Sequence, residues 1–253
     1  MLKHRVIPSL LIRNGGLVKT TQFANPRYVG DPLNAIRIFN EKEVDEILVL
    51  DIMASKEGRE PDFAMIEEFS GECFMPLCYG GGISSMAHAE RLFSLGVEKV
   101  SLQAATFSNL GLITEIAARF GSQAVVASID IKVNWRGQHQ LYEAAKGTVH
   151  QDWQEHLGRL VNAGAGEVLL TAVDRDGMMK GVDTRLIEAA SRAVAVPVIA
   201  SGGVGSLADI KAAVQAGASA VAAGAFFVFQ GKHRAVLITY PNYATLEDLL
   251  AAT

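Results

Sequence analysis

Short runs rich in Val, Ile and Leu alternate with amphipathic stretches along the whole chain. Strands buried on both faces, and the helices that cover them, impose this pattern on a sequence. Eight such runs stand out: Val6–Ile12, Ile47–Ile52, Pro76–Tyr79, Val100–Gln103, Ala124–Asp130, Val168–Thr171, Pro197–Ser201 and Ala220–Gly224. Each leads into a helical stretch or a loop before one. Eight strands with eight crossovers is the closure number of the (β/α)8 barrel, so the pattern predicts an α/β TIM barrel.

Folding the sequence back on itself sharpens the prediction. DEILVLDIMAS at 45–55 matches GEVLLTAVDRDG at 166–177, and PLCYGGGIS at 76–84 matches PVIASGGVGS at 197–206. Glu46 and Glu167, Gly81 and Gly202, and Gly96 and Gly217 all stand 121 residues apart. A fixed register predicts one barrel domain made of two half-barrels, about 1–122 and 123–253. An open doubly wound sheet predicts neither eight strands nor a halfway repeat.

Composition then narrows the function classes. The 253 residues are 49% hydrophobic and 20% charged, enough apolar content for a large core. A formal net charge of −4 lacks the basic excess that binding a phosphate backbone requires, so nucleic acid is not an expected partner. Cys73 and Cys78 are too few for a disulfide framework, and the six histidines show no ligand spacing with them; no metal site is expected. The apolar run near the start is broken by Pro8 and closed by Arg13, too short for a signal peptide. The stretch from Ala216 to Phe229 falls short of the ~20 residues of a membrane span. A cytoplasmic chain outside any membrane is the expectation.

Glycine-rich turns recur past the third and seventh runs, at Gly80-Gly81-Gly82 and Gly202-Gly203, with Gly224-Ala225 past the eighth. Bare backbone N–H groups beside helix starts bind phosphate, and barrels place such sites after strands 7 and 8. The repeat therefore predicts two phosphate sites across one mouth, unless the glycines only make tight turns. The second site reads as the weaker, because Gln103-Ala104 offers a long amide and a methyl after the fourth run. Asp51, Asp130, Asp174 and Asp176 stand at strand ends, where catalytic groups of barrels sit. Asp130 closes an apolar strand and is the first candidate for a general acid or base, with a salt bridge to Lys132 or Lys19 as the bland alternative. Asp174 and Asp176 fit an acid–base role or an Asx turn before Gly177. Across the repeat, Leu11 faces Asp130, so one half of the mouth has no group able to move a proton there.

Arg5, Glu46, Lys99 and Glu167 begin strands at the opposite end. Partly buried on a barrel floor, they would need mutual pairing, either as a stabilising plug or as a gate for a small neutral molecule.

LVKTTQF at 17–23, CYGGGI at 78–83, FGSQAVVASID at 120–130, LLTAVDRDG at 169–177 and IASGGVG at 199–205 together resemble the cyclase subunit of imidazole glycerol phosphate synthase, over residues 1 to about 230. The resemblance implies a barrel that receives ammonia from a class I glutaminase docked on its floor. It also implies a reaction splitting a bisphosphorylated ribulosyl substrate into imidazole glycerol phosphate and an aminoimidazole carboxamide ribotide. It implies no cofactor. Carried over residue by residue, it assigns Lys19, Asp51, Asp130 and Asp176 to the reaction and Thr171, with the turns at Gly82, Gly177 and Gly203, to phosphate binding. Arg5, Glu46, Lys99 and Glu167 match the family's ammonia gate. Leu11 stands where the family has its first catalytic aspartate, Gln103-Ala104 replace Asn-Thr, and Ala225 replaces a serine. GECFMPLCYGGGI and FVFQGKHRAVLITYP resemble a paralogous branch encoded with surface-polysaccharide genes, which implies ammonia delivery to an N-acetyl sugar amidotransferase. The expected function is therefore an ammonia relay, with a working cyclase as the alternative; a sugar-phosphate isomerase, which needs acids on both strands 1 and 5, is disfavoured.

Two long segments complete the reading. Arg13 to Gly30 is long for a βα loop and ends at the helix start Asp31-Pro32. Lys132 to Thr148 reads as a hairpin turning at Asn134-Trp135-Arg136-Gly137. Trp135 and Tyr142 would meet a partner or pack on the rim, and Lys232, His233 and Arg234 add basic groups near the last strand.

Overall fold

The computed structural model describes residues 4–251. Its strands are β1 (Arg5–Arg13), β2 (Ile47–Asp51), β3 (Leu77–Gly80), β4 (Lys99–Leu102), β5 (Val125–Val133), β6 (Glu167–Ala172), β7 (Val198–Ser201) and β8 (Ala220–Ala223). Each pairs in parallel with the next, and β8 pairs with β1, closing the predicted barrel. All eight predicted runs fall on these strands.

The covering helices are α1 (Pro32–Glu41), α2 (Phe63–Glu72), α3 (Met86–Ser94), α4 (Gly111–Phe120), α5 (Trp153–Asn162), α6 (Thr184–Ala193) and α7 (Leu207–Gln215), followed by the short α8 (Ala225–Val228) and the terminal α9 (Tyr243–Leu250). Each turns an apolar stripe inward, such as Ala35, Ile36 and Phe39 of α1, into a core lying between the strands and the helical ring. Side-chain caps start them. Asp62 and Ser85 accept the N–H groups of Met65 and His88, while Asp183 and Ser206 accept those of Leu186 and Asp209. The two pairs of caps are 121 residues apart, like the glycines. A Cβ on Gly81 would lie 2.5 Å from the carbonyl oxygen of Asp51, and one on Gly202 would lie 2.5 Å from that of Ala172. The clash partners carry the same offset. The register breaks at Asp152: its counterpart Asp31 caps α1, but Asp152 sits at φ 58 and caps nothing.

Residues 13–30 form more than a connecting loop. β1 turns back through Asn14-Gly15 into the antiparallel strand Gly16–Thr21, which pairs with Ala24–Gly30. Asn14 and Gly15 have φ values of 52 and 74, the pair of positive angles that a two-residue hairpin turn demands. The hairpin expected after β5 forms as His139–Glu143 against β5 itself, and Thr148–His150 adds a third strand.

Inside the barrel, inward positions alternate at period 2. The lowest layer holds the charged residues Arg5, Glu46, Lys99 and Glu167. Above it Ile7, Leu48, Cys78, Val126, Leu169, Ile199, Ala220 and Ala222 pack as a separate apolar cluster. Ser9, Ser101, Ser128 and Ser201 come next and lead to the mouth.

Candidate active site

The mouth is a cavity of about 160 Å³ at the C-terminal ends of the strands. Asp130 projects into it from β5 and is 7% exposed. Burial, reinforced by the nearby carboxylate of Asp176, pushes its carboxyl up to about 7, against a hydrogen bond from Thr171. Gln103 at the end of β4 donates its amide to Asp130 Oδ2 at 3.1 Å and to the Tyr142 carbonyl at 3.1 Å. Neither expected salt bridge forms. Lys132 lies 3.8 Å from the centre of the Tyr142 ring, and Lys19 Nζ donates to the carbonyl of Ser9.

Leu11 lines the same cavity from β1. Its isobutyl side chain can neither accept nor release a proton. Asp51 also faces the mouth, but its Oδ1 accepts the backbone N–H groups of Met53 at 2.9 Å and Ala54 at 3.0 Å, and Arg59 approaches Oδ2 at 3.6 Å. That carboxylate is committed to the turn after β2.

The turn after β6 separates its two aspartates. Asp174 Oδ2 accepts the Val133 N–H at 2.6 Å and lines a different cavity. Asp176 enters the mouth, where Thr20 donates to its Oδ2 at 2.9 Å; burial raises its carboxyl, opposed by Thr20 and Lys19. Gln22 clasps the turn twice, through its N–H to the Asp176 carbonyl at 2.9 Å and its side chain to the Asp174 carbonyl at 2.8 Å.

Beside the mouth is a smaller recess lined by Lys19, Gly177, Gly202, Gly203, Gly224 and Ala225. Lys19 is buried, and its ammonium is lowered by that burial to about 8. A Cβ on Gly224 would sit 2.5 Å from Nζ, so a bare backbone is needed for the ammonium to reach this turn. On the opposite side, the N–H of Gly82 donates to Ser55 Oγ at 3.1 Å, and Ala104 offers only a methyl.

At the floor, Arg5 donates to both Glu46 and Glu167, and Lys99 Nζ lies 2.9 Å from each. Burial would lower both cations, but the two carboxylates outweigh it and hold them above their ordinary values. The four charges close a ring around the axis. Among the described residues no group of His, Cys, Asp or Glu is arranged to hold a metal, and no helix is long and apolar enough to cross a membrane.

The sequence model of the family described as Histidine biosynthesis protein matches residues 5–234. A Pseudomonas aeruginosa protein provisionally named imidazole glycerol phosphate synthase subunit hisF2 is 53% identical over 249 residues, covering 98% of this chain and 99% of its own. The chain belongs to the HisF family. A Vibrio vulnificus relative, provisionally named subunit hisF3, is 48% identical over 245 residues, 96% of this chain and 94% of its own. The imidazole glycerol phosphate synthase subunit HisF of Dictyoglomus thermophilum is 39% identical over 230 residues, 90% of this chain and 91% of its own. These names fit a paralogous branch within the HisF family.

Several contacts of this HisF-family mouth lie beyond the sequence reading. Gln103 is tied to Asp130 and Tyr142, and Ser101 Oγ meets Ser128 Oγ at 2.5 Å. A signal for both was present, since Lys99, Ser101 and Gln103 alternate on β4 as Val126, Ser128 and Asp130 do on β5. The strand register that brings them together is set only by barrel closure. Trp135 stands 86% exposed at its hairpin tip, whereas Tyr142 packs 6.4 Å from Phe23. Arg234 donates to the Met178 carbonyl at 3.2 Å.

Proposed function

We propose that the chain is an ammonia relay: a HisF paralogue that receives ammonia from a class I glutaminase docked on its floor, conducts it along the axis, and delivers it to a separate acceptor enzyme. Leu11 carries this reading. A general acid or base contributes about 10²–10⁴ in rate, and the mouth presents Asp130 opposite a side chain that cannot share the task. The floor supports the same reading. Its ring of four charges leads to an apolar layer that would pass neutral ammonia more readily than ammonium. The acceptor proposed from the branch resemblance is an N-acetyl sugar amidotransferase of surface-polysaccharide synthesis, in a cytoplasmic complex.

A working cyclase is the second reading. It is favoured by Asp130 and Lys19, which burial moves to about 7 and about 8, two groups able to exchange protons near pH 7. The two readings separate in one assay. Supplied with ammonium salt and the bisphosphorylated ribulosyl substrate, a relay leaves the substrate unchanged yet stimulates glutamine hydrolysis by its glutaminase. Substrate turnover, or hydrolysis equal with and without the barrel, overturns the relay.

A further inference from the structure

We propose that the mouth takes a ligand with a single phosphate, seated between Lys19 and the β7 and β8 turns, and with an uncharged, largely apolar body lying toward β3, β4 and β5. The two ends of the mouth are not equivalent. At the Lys19 end a cation that is 4% exposed lines a recess with four glycines, Ser201 and Asp176, whose carboxyl burial holds above its ordinary value. A buried cation against bare backbone is suited to a phosphate, whose charge offsets that of the ammonium in a low-dielectric setting.

The opposite end has committed two of its donor groups. Both amide hydrogens of Gln103 are committed, one to Asp130 and one to the Tyr142 carbonyl. The Gly82 N–H is held by Ser55. Ile52, Ile83, Ala104, Ala144 and Ala145 face the cavity there, beside Gly80, Gly81 and Ser55. A second phosphate in that place would also lie near the carboxylates of Asp51 and Asp130, with Lys56, exposed on the rim, as the cation lining that end. An anion that loses its water without gaining donors is strongly disfavoured, whereas an apolar body gains from burial.

The proposal rests on the mouth being a ligand site and not on the ammonia route, so each is tested without the other. The full chain, with no glutaminase and no ammonium, is titrated calorimetrically with inorganic phosphate, ribose 5-phosphate and ribulose 1,5-bisphosphate. One phosphate equivalent should bind per chain, the two sugar phosphates should differ less than about threefold in Kd, and Lys19→Met should weaken all three by about tenfold or more. Because Lys19 is buried, Lys19→Gln and the unchanged Tm of both variants separate lost binding from lost folding. Two phosphate equivalents, a bisphosphate preference of about tenfold that Lys56→Ala removes, binding indifferent to Lys19 in folded variants, or no binding of any probe would each overturn the proposal.

Discussion

Asp130 shows how one side chain is set by its surroundings. Its carboxyl is raised to about 7 first by burial and then by Asp176, so the folded state prefers the protonated form. The native pKa lies above the unfolded value near 4. The carboxyl therefore opposes folding least below pH 4, and its destabilising effect grows between pH 4 and 7 and is complete above 7. Asp130→Asn should accordingly raise Tm at pH 8 and change it little at pH 4, as thermal unfolding at the two pH values will show; an equal shift at both would place the cause elsewhere. Leu11→Asp sets a second acid in the same cavity. We expect the titration of Asp130, followed by carboxyl NMR, to move further up or to split into two coupled steps. Cyclisation in this variant should rise only if the mouth still holds the bisphosphorylated substrate. Tight substrate binding with an unchanged background rate would show that position 11 is not what limits the chemistry. The sequence disclosed Asp130 and the gap at Leu11 because both follow from strand ends and the repeat. It hid the commitment of Asp51 and Asp174 to backbone N–H groups, since a carboxylate that caps a turn and one that faces a ligand have the same spacing.

Elements were legible where burial dictates the pattern. The eight strands are covered on both faces and read as continuous apolar runs, so their places followed directly. The hairpin after β1 is signalled by Asn14-Gly15 but not by its outer strand, because Ala24–Gly30 is mostly exposed and has no alternating apolar face. Helix starts followed local chemistry: Asp31 with Pro32 was readable, and Asp62, Ser85, Asp183 and Ser206 are further side-chain caps. Replacing an N-cap serine by alanine typically costs about 1 kcal/mol. Ser85→Ala and Ser206→Ala should each lower unfolding free energy by about that amount, and the double variant by about the sum, since α3 and α7 lie in different halves. Chemical denaturation measures all three, and a strongly non-additive double variant would count against independent caps.

At the scale of the whole molecule the floor ties four strands together through β1, β2, β4 and β6. Glu46 is 2% exposed and accepts from both Arg5 and Lys99, so neutralising it leaves two partly buried cations to share the one carboxylate of Glu167. Glu46→Gln should lower Tm more than Glu72→Gln, whose partner Arg37 is a surface residue. Equal losses would mean that the ring contributes no more than an exposed pair. The two acids of the ring obey the repeat and the two cations do not, since the position 121 beyond Lys99 is Ala220. The symmetry visible in the sequence therefore foretold the acids, whereas Arg5 and Lys99 were placed on the floor by their positions at strand starts. One consequence of the clasp made by Gln22 concerns time rather than affinity. Since Gln22, Thr20 and Val133 all hold the segment bearing Asp174 and Asp176, that wall of the opening is in place before any visitor arrives, and the speed of capture should keep climbing with concentration rather than level off at a pace set by the protein.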